Sequence, residues 1–332
     1  MLTVEIHATS HIGRVRRGNE DNYLLLNITR SKAWTSSQEA GEFVIETQKF
    51  EVDDNGVVLA VSDGMGGALA GEVASKMAVE SVCEKMIGDD GDETLTPEDY
   101  DHNLISKLYN ATLYANHLIH QQGRSDPQFQ GMGATFTGMG VTPTAADIIQ
   151  VGDSRAYLVR NGKIYQVTKD QSLVQQLIDA QQISAEEAET HTLKNVILQA
   201  LGAQSEIYPV SARVEPHKND VFLLCSDGLS NKVNAASMQR IVLANIDRLE
   251  MACAELVKEA NENGGEDNIT VILAKFTGDG LPEPEGDDVK LELIDLGGIH
   301  DTDSGRDRNL FSIDCERYLI RHAFSMPSIF FT

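Results

Sequence analysis

Residues 56–67 read Gly-Val-Val-Leu-Ala-Val-Ser-Asp-Gly-Met-Gly-Gly. Val57 to Val61 is a continuous apolar run of strand length, the pattern of a strand covered on both faces. It runs into a carboxylate, Asp63, and then into turn-forming glycine. From about Ala70 to Ile87 a helix follows, with Ala74, Met77, Ala78, Val82 and Met86 at helical spacing. The strand-end carboxylate recurs. Ile-Ile-Gln-Val-Gly leads into Asp153, Val-Phe-Leu-Leu-Cys-Ser leads into Asp227, and Asp267 opens Asn-Ile-Thr-Val-Ile-Leu. The tripeptide Ser-Asp-Gly occurs at both 62–64 and 226–228. Each of these alone is an ordinary turn signal. Four strand ends brought together would crowd like charges, at a cost of several kcal/mol in a low dielectric. A divalent cation removes that cost. Oxygen donors without His or Cys select Mg²⁺ or Mn²⁺ over Zn²⁺.

Working outward, the N-terminal part predicts strands at Thr3–Ser10 and Tyr23–Ile28. Between them lie Arg14, Arg16 and Arg17, then Asn19-Glu20-Asp21. Cations beside carboxylates in an acidic chain point to an oxyanion site next to a metal, and the planar arginine fork suits phosphate. Thr29 to Asn55 is polar and aperiodic apart from Phe-Val-Ile-Glu-Thr, and reads as a loop or inserted hairpin. Past an acidic loop around Pro97, a helix is predicted from His102 to Gln121, with Gly123 as its cap. Strands follow within residues 134–168, the last two joined by the hairpin signal Asn161-Gly162. Helical stretches are predicted at Gln171–Gln182, from the capping box Ser184-x-x-Glu187, and as one long helix from Asn234 to Asn261. The last predicted strand is Ile269–Phe276.

Composition bounds the function. The chain has 332 residues, 51 Asp+Glu against 27 Lys+Arg, and a net charge of −24. A field of that sign repels a phosphate backbone, so nucleic acid is not an expected partner. The longest apolar runs are strand-sized, far short of the ~18 residues of a membrane span. The N-terminus lacks the basic and apolar regions of a signal peptide. Cys83, Cys225, Cys253 and Cys315 are widely spaced, as expected for reduced thiols in a cytoplasmic protein. Composition shifts after Thr277 to a charged Pro/Gly stretch, Gly-Asp-Gly-Leu-Pro-Glu-Pro-Glu-Gly-Asp-Asp (278–288). The expected organisation is one domain over residues 1–277, carrying 29–55 as an insertion. An acidic linker and tail over 278–332 would follow, able to dock a partner.

Six motifs in order resemble the metal-dependent protein phosphatases, the PPM or type 2C Ser/Thr phosphatases, in their bacterial branch. They are SHIGRVRRGNED (10–21), VSDGMGG (61–67), GMGATFTG (131–138), QVGDSRAYL (150–158), LLCSDGLS (223–230) and GGEDNITVIL (264–273). The resemblance implies an α+β fold, a four-layer α-β-β-α sandwich of two antiparallel sheets flanked by helices. It implies two tightly bound Mn²⁺ or Mg²⁺ ions, and a third, looser one. Asp63 would bridge the two ions. Glu20 and the Gly64 carbonyl would complete one, and Asp227 and Asp267 would hold the other, with Asp21 acting through water. Asp153 matches the ligand of the third ion, and Arg16 matches the phosphate-binding arginine. Asn268 would lie beside the site, and Thr135 would serve structure. The implied chemistry is in-line attack on phosphorus by a hydroxide bridging two ions. The implied partners are phosphorylated Ser/Thr proteins, with the enzyme opposing a Ser/Thr kinase.

The sequence departs from the family at several positions. Met65 stands where animal members carry a His, a candidate general acid. His11 replaces an Asp, Gln171 a His, Thr192 a Pro and Gln199 an Arg. The competing reading is a non-catalytic phosphoprotein-binding scaffold acting through its tail. Inactive relatives usually lose one or more of the aspartates, and this chain retains each.

Overall fold

The computed structural model describes residues 1–36, 42–88, 104–284, 286 and 289–296. The acidic loop around Pro97 and the apolar C-terminal end lie outside them. The first strands are β1 (Thr3–His11), β2 (Asp21–Asn27), β3 (Lys32–Thr35), β4 (Glu42–Val44), β5 (Gln48–Glu51) and β6 (Val57–Met65). Helices α1 (Ala68–Ile87) and α2 (Leu104–Ser125) follow. Next come β7 (Gly133–Ala134), β8 (Phe136–Val141), β9 (Ala146–Val151), β10 (Arg155–Arg160) and β11 (Lys163–Gln166). Short helices α3 (Leu173–Asp179) and α4 (Ala185–Glu189) precede β12 (Val210–Val214) and β13 (Val221–Cys225). The chain continues through α5 (Asp227–Ser230), α6 (Ala235–Ala244), α7 (Leu249–Glu262), β14 (Ile269–Thr277) and β15 (Leu291–Ile294).

Among the described residues the strands form two antiparallel sheets. One runs β11-β10-β13-β14-β1-β4, with β5 also on β1. The other runs β15-β12-β9-β8-β6-β2-β3, with β7 on β6. The two-residue period of a strand assigns its faces. Val57, Leu59 and Val61 of β6 point between the sheets, where they join Ile6, Tyr23, Phe222, Ile272 and Phe276. Val58 and Ala60 face outward against Ala74, Ala78 and Val82 of α1 and Leu108 and Ala115 of α2. On the other sheet Val271 and Leu273 of β14 face Met238, Ile241, Cys253 and Leu256 of α6 and α7. This is the α-β-β-α sandwich expected, and it explains why Val57–Val61 of β6 and Val271–Ala274 of β14 are continuously apolar.

Several local expectations change. Gly123 lies inside α2, which continues to Ser125, and a Cβ there would come 3.2 Å from Met132 Cγ. Its bareness lets the following turn fold back on the helix. The long helix expected from Asn234 is two: α6, capped by Asn234, and α7. Asn245 breaks it by turning its side chain back to the Ile241 carbonyl (3.1 Å). The 29–55 segment supplies strands to both sheets, β3 on β2 and β4 and β5 on β1. Most consequentially, the stretch expected to be linker and tail contributes β15, which pairs with β12 from Ser211↔Ile294 to Val214↔Leu291. Leu281, Val289 and Leu291 bury themselves in the core between the sheets. Residues 297–332 of the expected tail lie outside the described residues.

Candidate active site

Antiparallel pairing gathers the strand-end carboxylates. Because β2 runs against β6, the first residue of β2 meets the end of β6, and Asp21 sits opposite Asp63. In the other sheet the end of β13 lies beside the start of β14, with Cys225 opposite Val271. Asp227 follows one strand and Asp267 precedes the other. Asp153 follows β9. Five aspartates from two sheets therefore face one edge of the sandwich, joined there by Glu20 and Arg16.

Short polar contacts hold these residues. The Asp63 N–H donates to Thr135 Oγ1 (3.0 Å), the Thr135 N–H donates to the Asp63 carbonyl (2.8 Å), and Thr135 Oγ1 meets Ser154 Oγ at 2.7 Å. The serines of both Ser-Asp-Gly motifs are used. Ser62 Oγ donates to the Thr135 carbonyl (2.7 Å), and Ser226 Oγ donates to Asp21 Oδ2 (2.7 Å). Asn268 ties the arginine loop, accepting from the Glu20 N–H (2.8 Å) and donating to the carbonyls of Ile12 (2.9 Å) and Gly18 (3.0 Å). Glycine is obligatory at 64, where a Cβ would stand 2.0 Å from the Gly71 carbonyl oxygen. That contact seats the first turn of α1 against the end of β6. Removing the buried Thr135 hydroxyl orphans the Asp63 N–H and Ser154 together. We expect Thr135→Val to lower unfolding free energy by about 1–3 kcal/mol, read as a lower urea midpoint at unchanged m-value.

The electrostatics are those of crowded anions. Burial, then the charges of Asp227 and Asp267, raise the Asp21 pKa to about 7 against a hydrogen bond from Ser226. Burial, then Asp227 and Asp170, raise that of Asp153 to about 8. Asp63 is pushed well above the carboxylate range by burial and by Asp21, Asp227, Asp153 and Asp267. Asp227 is raised by burial and Asp267. Both side chains are partly exposed at the edge of the sandwich, yet protein surrounds them deeply enough for desolvation to dominate. Asp21 Oδ1 and Asp153 Oδ1 are buried with no hydrogen-bond partner.

The donor set fits hard divalent cations, because it is all oxygen, over-rich in negative charge and includes two buried unpartnered oxygens. Among the described residues no three His, Cys, Asp or Glu side chains converge on one ion-sized point. Arg16 bridges Glu20 Oε1 (3.2 Å) and Asp267 Oδ2 (2.9 Å), and Asn231 donates to Asp227 Oδ2 (3.0 Å).

Comparison with known proteins decides the family. The sequence profile of Protein phosphatase 2C matches residues 45–269. The chain belongs to the protein phosphatase 2C family. It is 38% identical over 229 residues to the serine/threonine phosphatase Stp of Listeria welshimeri, covering 68% of this chain and 87% of that protein. It is 34% identical over 217 residues to the phosphatase PstP of Mycobacterium tuberculosis, covering 65% of this chain and 40% of that one. A crystal structure of M. tuberculosis PstP superposes with a TM-score of 0.65 at 31% identity, over 83% of this chain and all of that one. A second structure, of the PstP catalytic domain with two manganese ions, gives 0.64 at 30% identity over 84% of this chain. The fold of this phosphatase is thus the fold of bacterial members of the family.

Substituted positions of this phosphatase take up local duties. His11 Nδ1 accepts from the Gly13 N–H (2.8 Å) and so shapes the arginine loop. Gln171 Oε1 accepts from the N–H of Gly152 (2.8 Å), the neighbour of Asp153. Gln199 exchanges hydrogen bonds with the backbone of Tyr208, at 2.7 and 3.3 Å. Sequence reasoning missed Ser226 and the forked pair of Arg155 with Asp170 (2.7–3.1 Å), which stands beside Asp153. The repeated Ser-Asp-Gly was the available signal for the serine. Nothing local marked Asp170.

Proposed function

We propose that this phosphatase hydrolyses phosphoserine and phosphothreonine in proteins with two Mn²⁺ or Mg²⁺ ions. Asp63, Glu20 and the Gly64 carbonyl would hold one ion, and Asp63, Asp227 and Asp267 the other. Asp21 would act through water, and Asp153 would face a third, looser ion. The observation that carries the reading is the gathering of these carboxylates at one sandwich edge, with buried oxygens of Asp21 and Asp153 left unpartnered. The two manganese ions in the second structure, that of the PstP catalytic domain, support a divalent-metal reading.

Divalent ions held there would supply charge neutralisation and an acidified water. The chain's own groups do the remainder. Arg16, with 44% of its side chain exposed, is a guanidinium fork able to turn from Glu20 and Asp267 toward phosphoryl oxygens. Asn268 and Thr135 fix the backbone that presents Glu20 and Asp63, so little reorganisation is needed at the moment of reaction. Met65 has no proton to give to the leaving oxygen. The substrates would be products of a Ser/Thr kinase. Among the described residues no helix is long and apolar enough to cross a membrane. A cytoplasmic location accords with the three described cysteines, none of them in a disulfide.

Hydrolysis of p-nitrophenyl phosphate and of a phosphothreonine peptide tests this. Turnover should require Mn²⁺ or Mg²⁺, stop with chelator and return when the ion is restored. Phosphopeptide binding without ion-dependent turnover would favour the scaffold reading.

A further inference from the structure

The proposed site uses one of the three arginines in the loop between β1 and β2. The backbone that carries the other two is tied down beside it. Gly13 has φ +82, and a Cβ there would stand 2.2 Å from the Asp267 carbonyl oxygen, so the loop enters flush against the start of β14. The Arg14 N–H donates to the Gly265 carbonyl (2.7 Å). Beyond Arg17, Asn268 grips the Gly18 carbonyl, and Asn19 Nδ2 donates to Ser10 Oγ (2.8 Å). Residues 14–17 therefore protrude from a segment tied at both ends. Arg14 and Arg17 are exposed, and Val15 between them is 63% exposed. Among the described residues neither guanidinium has an ion-pair partner, although acids outnumber bases 51 to 27. Arg16, by contrast, is engaged with Glu20 and Asp267.

From these observations we propose that Arg14 and Arg17 select substrates carrying acidic side chains next to the phosphorylated residue. The inference rests on the phosphatase reading of the site. The spacing supports it. Arg17 lies one residue and Arg14 two residues from Arg16, at most about 4 and 7 Å along the chain. A bound extended peptide advances by about the same 3.3–3.6 Å per residue. With Arg16 on the phosphoryl group, its neighbours would reach side chains one to two positions away. The charge argument adds to this. A net charge of −24 repels acidic substrates at long range, so their selection needs local cations with fixed placement. Arginine serves here as a donor fork for carboxylate as well as a charge.

The test compares two phosphothreonine peptides, one flanked by Asp and Glu and one by Asn and Gln, on the Mn²⁺-loaded full chain. Wild type should prefer the acidic peptide in kcat/KM. In the double variant Arg14→Gln/Arg17→Gln that preference should fall by about tenfold at low ionic strength. The preference of wild type should also shrink as salt is raised past a Debye length of about 8 Å. The charge reversal Arg17→Glu should shift preference toward a Lys-flanked peptide, a gain that misfolding cannot produce. Equal rates of wild type on both peptides, or an equal loss on both in the variants, would overturn the proposal. Absence of wild-type turnover on p-nitrophenyl phosphate would instead refute the reading of the site beneath it.

Discussion

Replacing Asp63 by Asn is expected to lower kcat on p-nitrophenyl phosphate about a thousandfold, while making the ion-free protein more stable. The two effects share one cause. Asp63 stands at the end of β6, opposite Asp21, in the field of Asp227, Asp153 and Asp267. Its charge is useful only when cations balance it. Asn keeps the shape and leaves the backbone bonds to Thr135 in place, but removes one anion from the cluster. The wild-type pH dependence in chelator follows from the same crowding. Asp21 and Asp153 titrate near 7 and 8 when folded, against about 3.9 in an unfolded chain. The folded protein thus binds more protons between about pH 4 and 8, and linkage makes its stability fall as pH rises across that window. Melting temperature in chelator should decline from pH 5.5 to 8.5, and Mn²⁺ should restore it at the upper end. Asp63→Asn should show a shallower decline and a smaller Mn²⁺ response. Two results would sink this account: retention of a tenth or more of wild-type activity, or an ion-free melting temperature that rises with pH.

What could be read before the structure was what depends on neighbours in sequence. Two-residue alternation located β1, continuous apolar runs located β6, β13 and β14, and helical spacing located α1. The position of each aspartate at a strand end needed only the adjacent residues. The convergence of those ends is a property of strand pairing across the chain. Asp21 meets Asp63 across 42 positions, a relation the sequence pattern cannot display except through family resemblance. The misread elements were short or ambiguous. Leu-Glu-Leu-Ile of β15 is four residues within acidic surroundings, and a chain edge, rather than its own propensity, makes it a strand. Gly123 looked like a cap because helix ends favour glycine, but it lies inside the helix, packed closely on Met132. Gln171 and Gln199 read only as departures. Their amides prove to bond the backbone of Gly152 and Tyr208.

The placement of β15 leads to the second large effect. A chain ended after Thr277 loses the strand that covers the outer edge of β12, along with three side chains buried in the core between the sheets. Leu281, Val289 and Leu291 are 7%, 8% and 7% exposed. Full burial of such a side chain contributes roughly 1.5–3 kcal/mol, part of it offset by ordering the segment. The connection is pinned along its length. Lys218 N–H donates to the Pro282 carbonyl (2.9 Å), and Asn161 Nδ2 donates to the Gly286 carbonyl (2.6 Å). Gly278 packs so closely on the Met1 carbonyl that a Cβ would stand 2.0 Å from it. Without this segment β12 becomes an exposed edge, a template for association. A protein of residues 1–277 is expected to melt about 10 °C below the full chain and to associate on concentration. A protein of residues 1–296, which keeps β15, should melt within about 3 °C of it, since it retains every buried contact described. Equal melting temperatures for the two truncations would show that β15 contributes nothing to the domain, whose end would then return to the strand at Ile269–Thr277.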